Sequence, residues 1–176
     1  KQWSVLLETQ RSGLMDEQSR KGLIGELLFL EERIINADSA LAAVQGWAGA
    51  DGADQDFIYP DRWFEVKSIG VSASSVKISS LEQLDCADAG ELVVNRVDKA
   101  APGKTGAVSL NDVVRRVSAS LIANADALDL FHTKLSQYGY IDLQEYSEQK
   151  YHCSGTQHYR VDESFPKLIS GNVPVQ

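Results

Sequence analysis

The run Asp56-Phe57-Ile58-Tyr59-Pro60-Asp61-Arg62-Trp63-Phe64-Glu65-Val66-Lys67 constrains this chain more than any other stretch. Two short segments rich in aromatic and β-branched residues flank Pro60-Asp61, a turn pair, so the sequence predicts two strands joined as a hairpin. With only Pro60 and Asp61 in the loop, Phe57 faces Phe64, Ile58 faces Trp63 and Asp56 faces Glu65. Directly paired strand residues stand with their Cβ atoms roughly 5 Å apart, and two like charges there are destabilising unless a cation joins them. Side chains alternate between faces, so Lys67 falls on the side of Asp56 and Glu65, while Phe57, Phe64 and Val66 point into a core. Two-residue hairpins favour glycine-containing turns; a wider loop would shift the partners but keep the three polar residues on one side.

The rest of the chain reads as elements around this hairpin. The first 15 residues form an arm packed on the core. From Asp16 to about Asn36 apolar residues recur at helical spacing, with Asp16 or Ser19 as N-cap and Leu23, Leu27, Leu30 and Ile34 as the buried stripe. Ile24, Leu28 and Ile35 widen that stripe, and Glu26 falls at its edge, where an ordinary helix acid would be solvated. Ala43 to Trp47 reads as a first strand, followed by a glycine-containing loop with Asp51 and Asp54; Asp54 is either close to a metal site or the ion-pair partner of Lys67. After a loop of small residues, a short strand around Val76-Lys77-Ile78 precedes a helix capped by Ser79 or Ser80. Its Gln83 either orients a water or phosphate or hydrogen-bonds to backbone. Glu91 to Val97 reads as a central strand and Lys99 to Gly106 as a surface loop. Ser109 with Asp112 predicts a capped helix with Val113, Val114, Val117 and Leu121 buried, and a second helix runs from about Ala125 to Gln137 with Gly139 as its C-terminal cap. Both are expected on one face of the sheet. Tyr140 onward reads as strand.

Several function classes are excluded or disfavoured. Gly103-Lys104-Thr105 resembles the end of a phosphate-binding loop, but Asp98 stands where that loop needs glycine. Cys86 and Cys153 make neither a disulfide framework nor a zinc site, and His152, Cys153 and His158 are read as structural. The absence of a long apolar run or a leader-like start leads to the expectation of a cytoplasmic protein without membrane contact. The 176 residues fit one domain, and a start without Met and an abrupt end fit a piece of a longer protein. A net charge of −8 argues for weak DNA affinity of the isolated chain, since Lys and Arg contacts to phosphate dominate such binding.

An acid on one strand and Glu-x-Lys on the next resembles the PD-(D/E)XK nuclease superfamily. Gly22-Leu23-Ile24-Gly25-Glu26-Leu27-Leu28, Ile78 to Leu84, and Tyr159-Arg160-Val161 with Phe165-Pro166 resemble one bacterial group within it, DUF4420. Gln55 stands where the superfamily name has Pro. The resemblance implies an α/β fold: a restriction-endonuclease-like core at about residues 16–98, comprising a helix, a mixed central β-sheet carrying the hairpin, and flanking helices. A helical pair at about 109–138 and a strand-rich segment at 140–176 complete it. It implies a DNA endonuclease of restriction or phage defence, using Mg²⁺ or Mn²⁺. The implied site is Asp56, Glu65, Lys67, Glu26 and Gln83, with the metal on Asp56, Glu65, the Val66 carbonyl and Glu26, whose position matches a helix Glu that completes the metal site in many such nucleases. Hard oxygen donors suit these ions. Other restriction or defence subunits, or a second copy of the chain, are further partners it leaves open. The alternative is a catalytically silent nuclease-fold subunit of a larger complex.

Overall fold

A computed structural model describes residues 14–36, 39–78, 83–84, 89–162 and 164–165. In chain order the elements are α1 (Glu17–Asn36), α2 (Ala40–Gln45), a 3-10 turn (Gly49–Asp51), β1 (Phe57–Tyr59), β2 (Arg62–Ile69), β3 (Gly90–Lys99), α3 (Leu110–Leu121), α4 (Ala125–Tyr138), α5 (Glu145–Glu148) and β4 (Tyr151–Val161). The strands form one mixed sheet in the order β1-β2-β3-β4. β1 and β2 are antiparallel in the register expected from a Pro60-Asp61 turn, with Phe57 opposite Phe64 and Ile58 opposite Trp63. β2 runs parallel to β3, which places Leu92 opposite Glu65 and Val94 opposite Lys67. β4 closes the far edge antiparallel to β3, with a bulge at Arg96/Val97.

Alternation along the strands divides the apolar residues between two faces. Phe57, Phe64, Val66, Val93 and Val97 join the main core with the helices, while Trp63, Leu92, Val94 and Val161 form a smaller cluster with Leu84 on the other face. α1 lies across the main core, its first turn capped by the Asp16 carboxylate, which accepts from the Ser19 N–H at 2.7 Å. Phe29 joins helix to hairpin, its ring centroid 4.8 Å from both Phe57 and Phe64. Gly25 permits the close approach: a Cβ there would collide with the Ser68 hydroxyl of β2. The Ser109–Asp112 capping box of α3 is formed, and Gly139 ends α4 with a left-handed φ of 92°, a conformation glycine adopts without steric cost.

Four expectations need correction. Residues 43–47 do not form a strand: Ser39 caps an alanine-rich helix, Ala40–Gln45, and only Trp47 bridges to Phe57. Ile35 does not widen the buried stripe but is 73% exposed, because the core ends before the last turn of α1. Val76 and Ile78 pack against the smaller cluster without strand pairing. Residues 140–150 are mostly loop, tied down where the Asn111 amide donates to Leu143 O and Ser147 Oγ, so the C-terminal strand starts only at Tyr151. Most of the N-terminal arm and the Ser79/Ser80 cap lie outside the described residues. No helix among the described residues is long and apolar enough to cross a membrane.

Because the buried Phe29 ring packs α1 against both strands of the hairpin, Phe29→Ala is expected to cost about 3–5 kcal/mol of stability. Urea denaturation followed by circular dichroism measures it.

Candidate active site

The hairpin and α1 bring three carboxyl groups within electrostatic reach of one another. β2 holds Glu65 and Lys67 on the same face, and β1 ends one residue short of Asp56, whose side chain turns along the strand edge. Asp56 Oδ2 accepts from the Val66 N–H at 2.8 Å. A strand residue's N–H and C=O leave on the same side, so the Val66 carbonyl faces that edge too. Asp56 is also fixed by its backbone: its carbonyl accepts from the N–H groups of Ala48 and Gly49, each at 2.9 Å. Gly49 makes this possible, since a Cβ there would stand 3.0 Å from Asp56 Oδ1 and 3.4 Å from Glu26 Oε2. That single position therefore marks where the two acids meet.

Glu65 has no solvent-exposed surface. Lys67 Nζ meets its Oε1 as an ion pair, yet neither carboxylate oxygen accepts a hydrogen bond of good geometry. Glu26 is buried as well, but both its oxygens are satisfied: Oε1 accepts from the Tyr138 hydroxyl and Oε2 from the Trp47 indole N–H, each at 2.8 Å. Burial is the main force on all three acids. It raises the Glu26 pKa to about 8, with the Asp56 charge adding to the shift. Glu65 is raised to about 7 by burial and then by Asp56, against the pull of Lys67. Asp56 is also raised by burial, offset in part by the Val66 N–H.

Two of the neighbouring acids take other places. Asp54 is exposed and lies outside the β1 ladder, and Lys67 pairs with Glu65 instead. Asp51 pairs with Lys134, whose ammonium also donates to Trp47 O, both at 2.6 Å. Gln83 lies half-buried in a turn beside Leu84. His158 faces Glu91 at 3.0 Å. Sequence reading missed Trp47, Lys134 and Tyr138 as neighbours of the site; the spacing of Lys134 and Tyr138 by four residues on α4 was the available signal, since such residues share a helix face.

Among the described residues no three His, Cys, Asp or Glu side chains stand ready to hold a metal ion. The donor chemistry nonetheless fits a hard divalent cation at Asp56 and Glu65: only oxygens are offered, and neither oxygen of the buried Glu65 carboxylate is satisfied by a hydrogen bond of good geometry. Glu26 fits less well as a direct ligand, because neutral donors occupy both of its oxygens.

The raised acids set the pH dependence of stability without divalent ions. An unfolded Glu titrates near 4.5, whereas folded Glu26 and Glu65 keep their protons to higher pH, so over this interval the folded state binds more protons than the unfolded one. Their contribution is full below about pH 4.5 and is lost as pH rises through about 7 to 8. The thermal midpoint in chelator is expected to fall between about pH 5 and pH 8, and the fall to flatten in Glu65→Gln. A midpoint that stays level or rises over that range would contradict the raised values.

Comparison with curated proteins finds no match, and comparison with solved structures finds none. A family model described as "Putative PD-(D/E)XK family member, (DUF4420)" matches residues 1–176. The mixed sheet, its acid-bearing hairpin and the flanking helices agree with the restriction-endonuclease-like fold of that superfamily, and the chain belongs to the DUF4420 family.

Proposed function

We propose that the chain is a Mg²⁺- or Mn²⁺-dependent DNA endonuclease of bacterial restriction or phage defence. The observation that carries this reading is the buried Glu65 carboxylate, paired in charge with Lys67 and short of hydrogen bonds of good geometry, beside an Asp56 that is fixed through backbone hydrogen bonds. Asp56, Glu65 and the Val66 carbonyl would hold the ion, which when bound supplies Lewis-acid polarisation of the phosphate and a more acidic water. Asp56 is oriented by the Val66 N–H, so one oxygen is committed and the carboxylate cannot swing away. The Lys67 ammonium, on the same face as Glu65, orients the attacking water and stabilises negative charge on the phosphorane. Glu26, held between Trp47 and Tyr138, has its Oε2 near Gly49 on the side of Asp56 Oδ1, where it would accept a hydrogen bond from a water at the site. Gln83 would act from the rim.

Electrostatics favour weak grip on DNA. Many of the described cations are committed to acids of the chain itself: Lys21 to Asp98, Lys99 to Glu17, Arg116 to Glu31, Lys134 to Asp51 and Lys150 to Asp112. Affinity for DNA of the isolated chain is therefore expected to be micromolar or weaker and to fall with salt. A second reading, a silent nuclease-fold subunit, is favoured by one observation: neutral donors already occupy both oxygens of Glu26.

Cleavage of plasmid DNA separates the two. The wild-type protein is expected to nick DNA with Mg²⁺ or Mn²⁺ and not with chelator, and Asp56→Asn and Lys67→Ala each to slow this by about 100-fold or more while keeping the wild-type circular dichroism. Equal cleavage by wild type and both variants would remove the mechanism. No cleavage by folded wild type on modified or unmodified DNA would favour the silent subunit.

A further inference from the structure

The acids come from the first half of the fold, but one of the two donors that hold Glu26 comes from the second. Lys134 and Tyr138 lie one turn apart on α4 and face the same neighbours. Lys134 is buried, and its ammonium donates to Trp47 O and to Asp51 Oδ2. Tyr138 stacks on the Trp47 indole, with ring centroids 6.1 Å apart and planes 27° apart. Its hydroxyl then donates to Glu26 Oε1, while the indole N–H donates to Oε2. Backbone and ring of Trp47 are thus both gripped by α4, and Glu26 is gripped by Trp47 and α4 together.

This arrangement has a direction. Of the two Glu26 oxygens, Oε2 shares the space around Gly49 with Asp56 Oδ1. Oε1 is the one bound by Tyr138. A carboxylate held only by the indole would be free to rotate about its last bond; the tyrosine on the other oxygen fixes the plane. A buried Glu without that donor would also be left short of a hydrogen bond, which is costly in an apolar interior.

We infer that Tyr138 is a positioning residue of the site: with Trp47, which Lys134 anchors, it orients Glu26 so that Oε2 is presented to Asp56. α4 is then part of the active-site machinery, although it contributes no group to the reacting atoms. The inference rests on the nuclease reading for its catalytic consequence, and on the hydrogen bonds alone for its structural one. Glu26 lies just outside the Asp56–Glu65 ligand set, where disturbing a group commonly changes metal affinity by about 10- to 100-fold, so loosening it through Tyr138→Phe is expected to weaken Mn²⁺ binding by about 10-fold.

The experiment uses the whole chain and three variants. Tyr138→Phe removes only the hydroxyl, Glu26→Gln alters the acceptor, and Leu135→Ala weakens the packing of the same helix without touching the polar link. The indole N–H resonance of Trp47, read by NMR in chelator, is expected to shift in Tyr138→Phe and Glu26→Gln and to stay within the wild-type line in Leu135→Ala. Calorimetric titration with Mn²⁺ is then expected to show the weakened binding in Tyr138→Phe and wild-type affinity in Leu135→Ala. An unmoved indole resonance in folded Tyr138→Phe would overturn the inference, as would equal loss of Mn²⁺ affinity in Leu135→Ala. If wild type binds no Mn²⁺ while the resonance moves as expected, the nuclease reading fails and the orientation of Glu26 stands.

Discussion

Glu26 and Glu65 are buried and Asp56 is half-buried, all within one another's electrostatic reach, and among the described residues the one ammonium in ion-pair contact with them is Lys67. Removing ionised carboxylates from water is costly, and placing them side by side adds repulsion. A fold can tolerate such a cluster by protonating it, by hydrogen-bonding it or by bringing in a cation. The three acids divide these solutions among themselves. Glu26 is hydrogen-bonded on both oxygens, Asp56 is held by one backbone N–H, and Glu65 leans mainly on the charge of Lys67, with a weaker pull from the Asp56 backbone N–H. The gradient from satisfied to unsatisfied runs from the helix toward Lys67, and it locates the part of the site where positive charge is still wanted.

The surrounding structure is arranged to hold that cluster in place. The Phe29 ring presses α1 onto both hairpin strands, and Gly25 lets the helix approach β2 closely enough to bring Glu26 in. The segment from Gly46 to Gly49 is bonded to the backbone of Asp56 and Ile58, so the acid enters the strand edge at a fixed height. α4 closes the opposite side through Lys134 and Tyr138. Relaxation of the acids away from each other would require breaking one of these attachments.

Much of this was legible in the sequence, for identifiable reasons. The Pro60-Asp61 turn, flanked by aromatic and β-branched residues, specifies its own register, and strand alternation puts Glu65 and Lys67 on one face of β2; Asp56 lies just beyond the ladder, so its expected cross-strand pairing with Glu65 is not formed. The α1 stripe was readable from its spacing, and it placed Glu26 at the edge of the core. Local chemistry was also readable where it is short in range, as in the Ser109–Asp112 box. The contacts that finish the site were not, because Tyr138 lies 112 residues from Glu26 and Lys134 lies 87 from Trp47. Asp54 was placed by extending a two-stranded register beyond the point where β1 ends. Residues 43–47 were misread because their apolar pattern is too short to separate helix from strand, and the Ser39 cap just before them decides it.

What is proposed for Asp56 and Glu65 is an acid pair, half-buried at Asp56 and fully buried at Glu65, that a divalent cation completes. Mn²⁺ titration at about pH 6.5, repeated in buffers of different ionisation enthalpy, counts the protons released on binding. Binding with net proton release is expected, since Glu65, raised to about 7, must ionise to hold the ion, and both binding and release are expected to be lost in Glu65→Gln. Binding without proton release, or binding of undiminished affinity in Glu65→Gln, would contradict it.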